Sequence, residues 1–136
     1  MAMAMGSAHN ALGQPVGEPV PDWVAPPAPA RRTLNGRFCR LEPVDPAVHA
    51  AALHAANGED VSGAMWTYLP YGPFATPADY REWMERTCLG DDPLFLAIVD
   101  LATGQAAGLA AYLRLDASNG VLEIGHLAYA PRLQRT

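Results

Sequence analysis

Glu123 and His126 are the residues of this chain best suited to acid–base chemistry, and they lie three positions apart in an apolar segment. A carboxylate among apolar neighbours is desolvated, which makes it a stronger base. A histidine exchanges protons near neutral pH. Each has a second interpretation: Glu123 could pair with Arg114 on the preceding segment, and a lone strand histidine is often a satisfied core residue.

The segment that positions both residues, 121–130, has apolar side chains on both alternating faces and ends at Pro131. This pattern predicts a central strand covered on both sides. Strict alternation places Glu123 and His126 on opposite faces, so they reach one site only if a bulge interrupts the strand at Gly125. Polar donors follow at 132–136, where backbone amides opening a helix could cradle a phosphate.

Composition narrows the class of protein. The 136 residues are half apolar with a net charge of −5, and the nine basic residues are scattered arginines, which argues against a nucleic-acid surface. Cys39 and Cys88 are far apart and fit buried free thiols in a cytoplasmic protein. No apolar run is long enough for a membrane span. His49 and His54 lack partner ligands, so we expect them to be solvated and expect no metal.

Residues 1–32 form a separate region rich in Pro, Gly and Ala, a composition that resists helix and ladder formation. Val20, Trp23 and Val24 form a group of large apolar side chains within it. We expect an arm that is partly ordered by these residues, lying along the domain surface or on a neighbouring subunit of a homodimer. The domain proper spans 33–136.

The first part of the domain predicts a strand within 37–44, a helix capped by Asp45 that ends at Asn57, and an irregular segment, 59–75. Four aromatic residues of that segment are separated by Pro and Gly, so they cannot all face one regular core stripe. They are either a secondary core over the sheet or the wall of a substrate pocket. These residues are Trp66, Tyr68, Tyr71 and Phe74.

The second part predicts a helix that begins at Thr76 and ends at Gly90, with Cys88 as a small apolar residue on its buried face. Strands at 94–101 and 106–116 then lead through a turn at 118–120 into the last strand, as a meander. Tyr112 on the middle strand is a further candidate donor in a substrate pocket. The fold class is α+β, with a mixed, mainly antiparallel sheet flanked by helices.

Two strings carry a family resemblance. The string E-I-G-H-L-A-Y-A-P-R-L-Q-R-T resembles the fourth strand and the start of the pyrophosphate loop of the GCN5-related N-acetyltransferases, and Gln134, Arg135 and Thr136 match the loop's first three places. The string W-T-Y-L-P-Y-G-P-F resembles a segment bordering the acceptor site in the branch similar to ribosomal-protein alanine N-acetyltransferases. The element order agrees with the N-terminal half of that fold, apparently truncated after the fourth strand.

The resemblance implies transfer of an acetyl group from acetyl-CoA to a primary amine, on a protein N-terminus or a small molecule, by direct attack. Glu123 and His126 would then be catalytic, and the aromatic residues above with Tyr112 would bind the acceptor. The main chain of Leu127, Ala128 and Tyr129 would pair with the pantetheine arm, and residues 134–136 would help bind the pyrophosphate. The competing interpretation is a noncatalytic α+β binding or oligomerisation module, in which the aromatic segment and the arm hold a partner.

Overall fold

The computed structural model describes residues 8–136, which form a two-stranded hairpin and a five-stranded sheet with two helices. The predicted α+β fold class is confirmed. In chain order the elements are β1 (Ala8–His9), β2 (Pro15–Val16), β3 (Leu34–Asn35), β4 (Cys39–Pro43), α1 (Pro46–Asn57), α2 (Pro77–Thr87), β5 (Leu94–Asp100), β6 (Gln105–Asp116) and β7 (Val121–Tyr129). Short 3-10 turns cover Ala64–Trp66, Ala117–Asn119 and Pro131–Leu133.

Both helices begin where the sequence predicts, because their first amides find side-chain acceptors. The Asp45 carboxylate accepts a hydrogen bond from the Ala47 amide at 2.9 Å, and Pro46 occupies the first turn of α1. Thr76 and Asp79 form a capping box at the start of α2. Each such cap stabilises a helix by about 1 kcal/mol.

The large sheet is antiparallel throughout and has the strand order β3-β4-β5-β6-β7. The meander is confirmed, whereas the expected central position of the last strand is not seen among residues 8–136. Within the described residues β7 lies at the edge of the sheet, and Val121, Leu122 and Ile124 are 53%, 45% and 61% exposed. The apolar side chains on both faces of a strand do not by themselves make it central. A strand is central only when it is hydrogen-bonded to another strand on each side.

The helices cover one face of the sheet and form the core with it. Phe95 and Ala97 of β5 pack with Leu53 of α1 and Met84 of α2. Cys88, which ends α2, is fully buried in the same cluster. Burial raises the pKa of the Cys88 thiol to about 12, so this residue fills space as a small apolar side chain.

The arm lies against its own domain. The Trp23 indole donates to the Ser118 carbonyl at 2.9 Å, and its ring is so close to Gly120 that a Cβ there would come within 2.4 Å. The Arg31 guanidinium donates to the Leu89 carbonyl at 2.8 Å. These contacts tie the arm to the β6–β7 turn and to the connection between α2 and β5.

Two details of the arm differ from expectation. Val20 and Val24 are 66% and 81% exposed, so Trp23 is the member of that apolar group that anchors the arm. A short ladder also forms, with Ala8 opposite Val16. Asn10 closes that turn, because its side-chain oxygen accepts from the amides of two following residues. Residues 1–7 of the predicted arm lie outside the described residues.

The prediction that His49 is solvated is wrong. The residue is 4% exposed, and both ring nitrogens are hydrogen-bonded. Nδ1 accepts from the Asp45 amide at 3.0 Å, which places the imidazole proton on Nε2, and Nε2 lies 2.8 Å from Glu42. Arg40 binds the other Glu42 oxygen at 2.6 Å. This cluster joins β4 to the start of α1.

Candidate active site

A bulge in β7 brings the two candidate bases to one face of the sheet. His126 and Leu127 both lie opposite the single residue Ala110 of β6. His126 has φ 49°, a left-handed conformation that non-glycine residues rarely adopt outside such bulges. The extra residue reverses the alternation of side chains, so His126 faces the helices, as Glu123 does. The interruption expected at Gly125 is therefore present, one residue later.

The His126 ring is held by aromatic side chains. Its Nδ1 lies 3.0 Å from the Tyr71 hydroxyl, and the two rings are stacked with centroids 5.7 Å apart. The Phe95 ring is tilted against it, with the two ring centroids 5.0 Å apart. Partial burial lowers the pKa of His126, and the nearby negative charge of Glu123 opposes that shift. The lowered pKa favours the neutral imidazole, and no group among residues 8–136 hydrogen-bonds its Nε2.

Glu123 takes the ion-pair arrangement that the sequence left open. Its Oε2 accepts from Arg114 Nη1 at 2.8 Å, and the two side chains are 46% and 79% exposed respectively. The expected desolvation of this carboxylate is therefore not found, because β7 is an edge strand. A Cβ built on Gly125 would lie 3.6 Å from Glu123 Oε1, so the carboxylate sits beside the bulge. Glu123 therefore places a negative charge near His126 and is not a buried base.

The structure brings some of the aromatic candidates together. Tyr71 lies between His126 and Trp83, with its ring centroid 4.3 Å from that of Trp83. Trp66 is 8% exposed and packs edge-on against Tyr71 and Phe74. The segment 59–75 is thus both a secondary core, through Trp66, and one wall of the His126 site, through Tyr71.

Two substrate candidates lie apart from this site. Tyr68 is 97% exposed and points away from the aromatic cluster. Tyr112 is on the opposite face of the sheet, where it lines a cavity of about 400 Å³ between the sheet and the Pro-rich arm. Trp83 of α2 was not among the predicted site residues, although its ring lies against Tyr71. Helical spacing indicates which face of α2 is buried but does not indicate this contact.

The candidate cofactor residues lie along the open edge of β7. The Ala130 amide donates to β6 at 2.9 Å, so by alternation the main-chain groups of Leu127 and Tyr129 point to the open edge, whereas those of Ala128 point to β6. Ala128 is also buried, at 3% exposure. Gln134 Nε2 donates to the Tyr129 carbonyl at 2.9 Å.

The last residues of the chain form a compact polar turn. The Thr136 hydroxyl donates to the Leu133 carbonyl at 3.1 Å, and Arg135 has φ 60°. Arg132 pairs with Glu59, which ties this turn to the segment that follows α1. Residues 134–136 therefore lie directly beyond the end of β7, next to the open edge.

A separate cavity of about 350 Å³ lies between the end of α1 and the start of α2, away from His126. The Tyr80 hydroxyl and the Asn57 carbonyl oxygen are buried there without a well-formed hydrogen bond in the described residues. Burial raises the pKa of Tyr80, and the Asn57 side chain opposes that shift.

Two features are absent from residues 8–136. Nowhere in this range do three His, Cys, Asp or Glu side chains converge in a group that could hold a metal ion. None of the helices there has the length and apolar character needed to cross a bilayer.

Comparison with solved structures identifies the fold. The chain matches a GCN5-related N-acetyltransferase from Brucella melitensis with a TM-score of 0.81 and 37% identity, over 85% of this chain and 52% of that one. It matches a protein from Chromobacterium violaceum described as a probable acetyltransferase of the GNAT family, with a TM-score of 0.76 and 28% identity, over 90% and 61% of the two chains. A GNAT-family acetyltransferase from Bacillus anthracis, 15% identical with a TM-score of 0.58 over 77% and 57%, shares the fold alone.

These similarities support the GCN5-related N-acetyltransferase family and confirm an acyl-CoA N-acyltransferase-like fold. The chain spans roughly half to three-fifths of the length of the two more similar structures, 52% and 61%. No family model matches the sequence. No curated protein matches it either.

Proposed function

We propose that residues 33–136 are part of an N-acetyltransferase domain that transfers an acetyl group from acetyl-CoA to a primary amine. The observation that carries this proposal is the bulge at His126, which places a neutral imidazole, Glu123 and Tyr71 on one face beside the open edge of β7. The similarity to solved acetyltransferases over 85% and 90% of this chain supports the same reaction class.

In this proposal His126 takes the proton that the acceptor ammonium must lose before it can attack. That role requires the Nδ1 proton to be donated to the Tyr71 oxygen, which leaves the lone pair of Nε2 free. Burial lowers the pKa of His126 and so keeps the ring neutral before the transfer. Glu123 stabilises the imidazolium that forms, through its negative charge, and no covalent intermediate with the protein is needed.

Acetyl-CoA supplies the activated acetyl group, and the open edge of β7 fits its extended, amide-containing arm. The main-chain groups of Leu127 and Tyr129 would hold that arm by strand-like pairing, and Ala128 between them keeps the strand bonded to β6. Gln134, Arg135 and Thr136 lie beyond the end of the strand, where they would meet the pyrophosphate. Gln134 must first release the Tyr129 carbonyl, to which it donates in this structure.

The acceptor would approach along the wall formed by Tyr71 and Trp83. A protein N-terminus, as in the branch similar to ribosomal-protein alanine N-acetyltransferases, and a small-molecule amine both fit a site with a carboxylate and aromatic walls. A homodimer and a cytoplasmic location remain predictions of the same proposal.

The binding-module interpretation is less well supported. It requires the arm and the aromatic segment to be free for a partner. Trp23 instead bonds to the β6–β7 turn of its own domain, and Trp66 is buried in its own core.

The test is acetyl transfer by the full-length protein, followed through release of free coenzyme A with a panel of peptides and small amines. Glu123→Gln should lower turnover on the order of 3-fold with little change in acetyl-CoA affinity, because it removes one partly screened charge beside His126. Glu85→Gln is the matched control, because Glu85 is also a half-exposed carboxylate paired with an arginine. Wild-type turnover in Glu123→Gln would leave Glu123 a structural residue, and failure with every amine would overturn the proposed function.

A further inference from the structure

A second bulge lies in β6, on the strand next to the first. Arg114 and Leu115 both lie opposite the single residue Leu122 of β7. Arg114 has φ 50°, again in the left-handed region. A non-glycine residue held there costs on the order of 1–3 kcal/mol, so contacts around it must compensate.

Asp92 supplies those contacts. One of its carboxylate oxygens accepts from the Arg114 amide at 2.9 Å, and the other accepts from the Leu115 amide at 3.0 Å. Consecutive amides of a regular strand point to opposite sides, so a single carboxylate can bind both only where the backbone is bulged. Asp92 itself lies in the connection between α2 and β5, which Arg31 of the arm holds through the Leu89 carbonyl.

The bulge decides which face of the sheet Arg114 reaches. Leu113 pairs with Glu123, so both lie on the helix-covered face. In a regular strand Arg114 would then point to the other face. In the bulge its guanidinium instead reaches Glu123 at 2.8 Å.

We propose that Asp92 is a positioning residue of the candidate site, which acts by holding the β6 bulge that directs Arg114 to Glu123. This inference rests on the proposed function for its meaning, although the geometry can be tested without it. With Asp92 in place, Arg114 offsets the charge that Glu123 presents to His126. Without it, the carboxylate acts unopposed on the ring.

The groups that face His126 make this effect measurable. They are Glu123 on its own strand, Arg114 on β6, which binds Glu123, and Tyr71 on the segment before α2, with Cys88 near enough to influence Tyr71. Burial raises the pKa of Tyr71 and that of Cys88, so neither ionises near neutral pH. A change in the His126 titration near neutral pH therefore reports on the Arg114–Glu123 pair.

The experiment is nuclear magnetic resonance on the full chain with Asp92→Asn. The strong intraresidue amide–Hα cross-peak of Arg114 that a positive φ produces should weaken. The titration midpoint of the His126 ring should rise by a few tenths of a pH unit, as expected for one partly screened charge. Loss of the negative charge of Asp92 would by itself lower that midpoint. A rise therefore shows that Asp92 acts through the β6 bulge and the position of Arg114.

Two controls make the result decisive. Asp91→Asn removes the neighbouring carboxylate, which binds Arg31 instead, and should leave the Arg114 cross-peak unchanged and produce no rise. In a Glu123→Gln background, Asp92→Asn should also produce no rise. An unchanged Arg114 cross-peak, or the same His126 shift in both backgrounds, would overturn the proposal.

If Asp92→Asn alone prevents folding, Arg114→Gly is added, because glycine adopts a positive φ without the Asp92 clamp. The double variant should fold, and failure to recover folding would count against the clamp. Neither measurement involves acetyl transfer. The positioning role of Asp92 can therefore be confirmed even if no amine is acetylated, and it can be overturned even if acetylation is observed.

Discussion

Two groups of the same three residue types occur in this molecule and do different things. Arg40, Glu42 and His49 join β4 to α1, whereas Arg114, Glu123 and His126 lie at the edge of the sheet. In the first group the histidine is 4% exposed, and both of its ring nitrogens are bonded. In the second, one ring nitrogen contacts Tyr71 and the other has no partner in the described residues.

The difference shows that the residue types alone do not mark a reactive site. A histidine whose hydrogen bonds are all satisfied has nothing left to offer a substrate, and its removal damages the fold. A histidine with a free ring nitrogen beside an open edge, held at an unfavourable φ, costs stability and provides chemistry. The following substitutions test this contrast, beginning with the largest expected effect.

His49→Ala should lower the free energy of unfolding by about 3 kcal/mol, because it leaves the Asp45 amide and the Glu42 carboxylate without their partner. Urea denaturation of the chain measures this loss. His54→Ala is the control on the same helix, since His54 makes a single bond to the Phe74 carbonyl and is only half-buried. An equal loss in both variants would mean that the His49 cluster is not special.

His126→Ala should have the opposite profile. We expect the unfolding free energy to fall by less than about 1.5 kcal/mol, and kcat/KM for amine acetylation to fall about 100-fold. Because burial lowers the pKa of His126 below its usual 6.5, the wild-type activity should decline only below that pH. The pH profile of kcat/KM measures this, and a profile unchanged in the variant would show that His126 is not the base.

Glu42→Gln tests the electrostatics of the structural group. The hydrogen bond from His49, followed by that from Arg40, lowers the pKa of Glu42 below its usual 4.5. A lowered carboxylate pKa contributes stability above pH 4.5 that is lost as the pH falls through the lowered value. The variant should lose about 1–2 kcal/mol at neutral pH, the size of a charge-assisted hydrogen bond. Its stability should then depend less on pH below 4.5 than that of the wild type.

The same denaturation series between neutral and acidic pH should leave Glu85→Gln close to the wild type, because Glu85 lies on the exposed face of α2. If the wild type and Glu42→Gln lost the same unfolding free energy as the pH falls, other carboxylates would control acid unfolding.

Tyr71→Phe is the smallest change and isolates ring orientation. The partner of His49 Nδ1 is a backbone amide, which trimming a side chain leaves in place, whereas the partner of His126 is the Tyr71 hydroxyl. Loss of the hydroxyl should reduce kcat about 10-fold by freeing the ring, with a stability change under about 1 kcal/mol. Steady-state kinetics and a thermal melt measure both quantities, and an unaltered kcat would remove Tyr71 from the mechanism.

Local elements were well predicted from the sequence, because their signals are local. The Asp45 and Thr76 caps predicted the helix starts, and the apolar alternation of 94–101 and 106–116 predicted β5 and β6 within a residue at each end. The same local pattern failed for His49. Its helical position suggested solvent exposure, but Glu42, seven residues earlier, is brought against it by the return of the chain from β4 into α1.

For the candidate site, the sequence by itself determined which residues could act: one glutamate and one histidine three positions apart, near polar donors and an aromatic segment. The tertiary structure decided how they are used. Within residues 8–136 it paired Glu123 with Arg114 at a half-exposed position, and it turned His126 onto the face of Tyr71 through a bulge. A bulge depends on contacts between distant segments, such as that of Asp92 with β6. These contacts produce no periodic pattern in the sequence from which the bulge could be predicted.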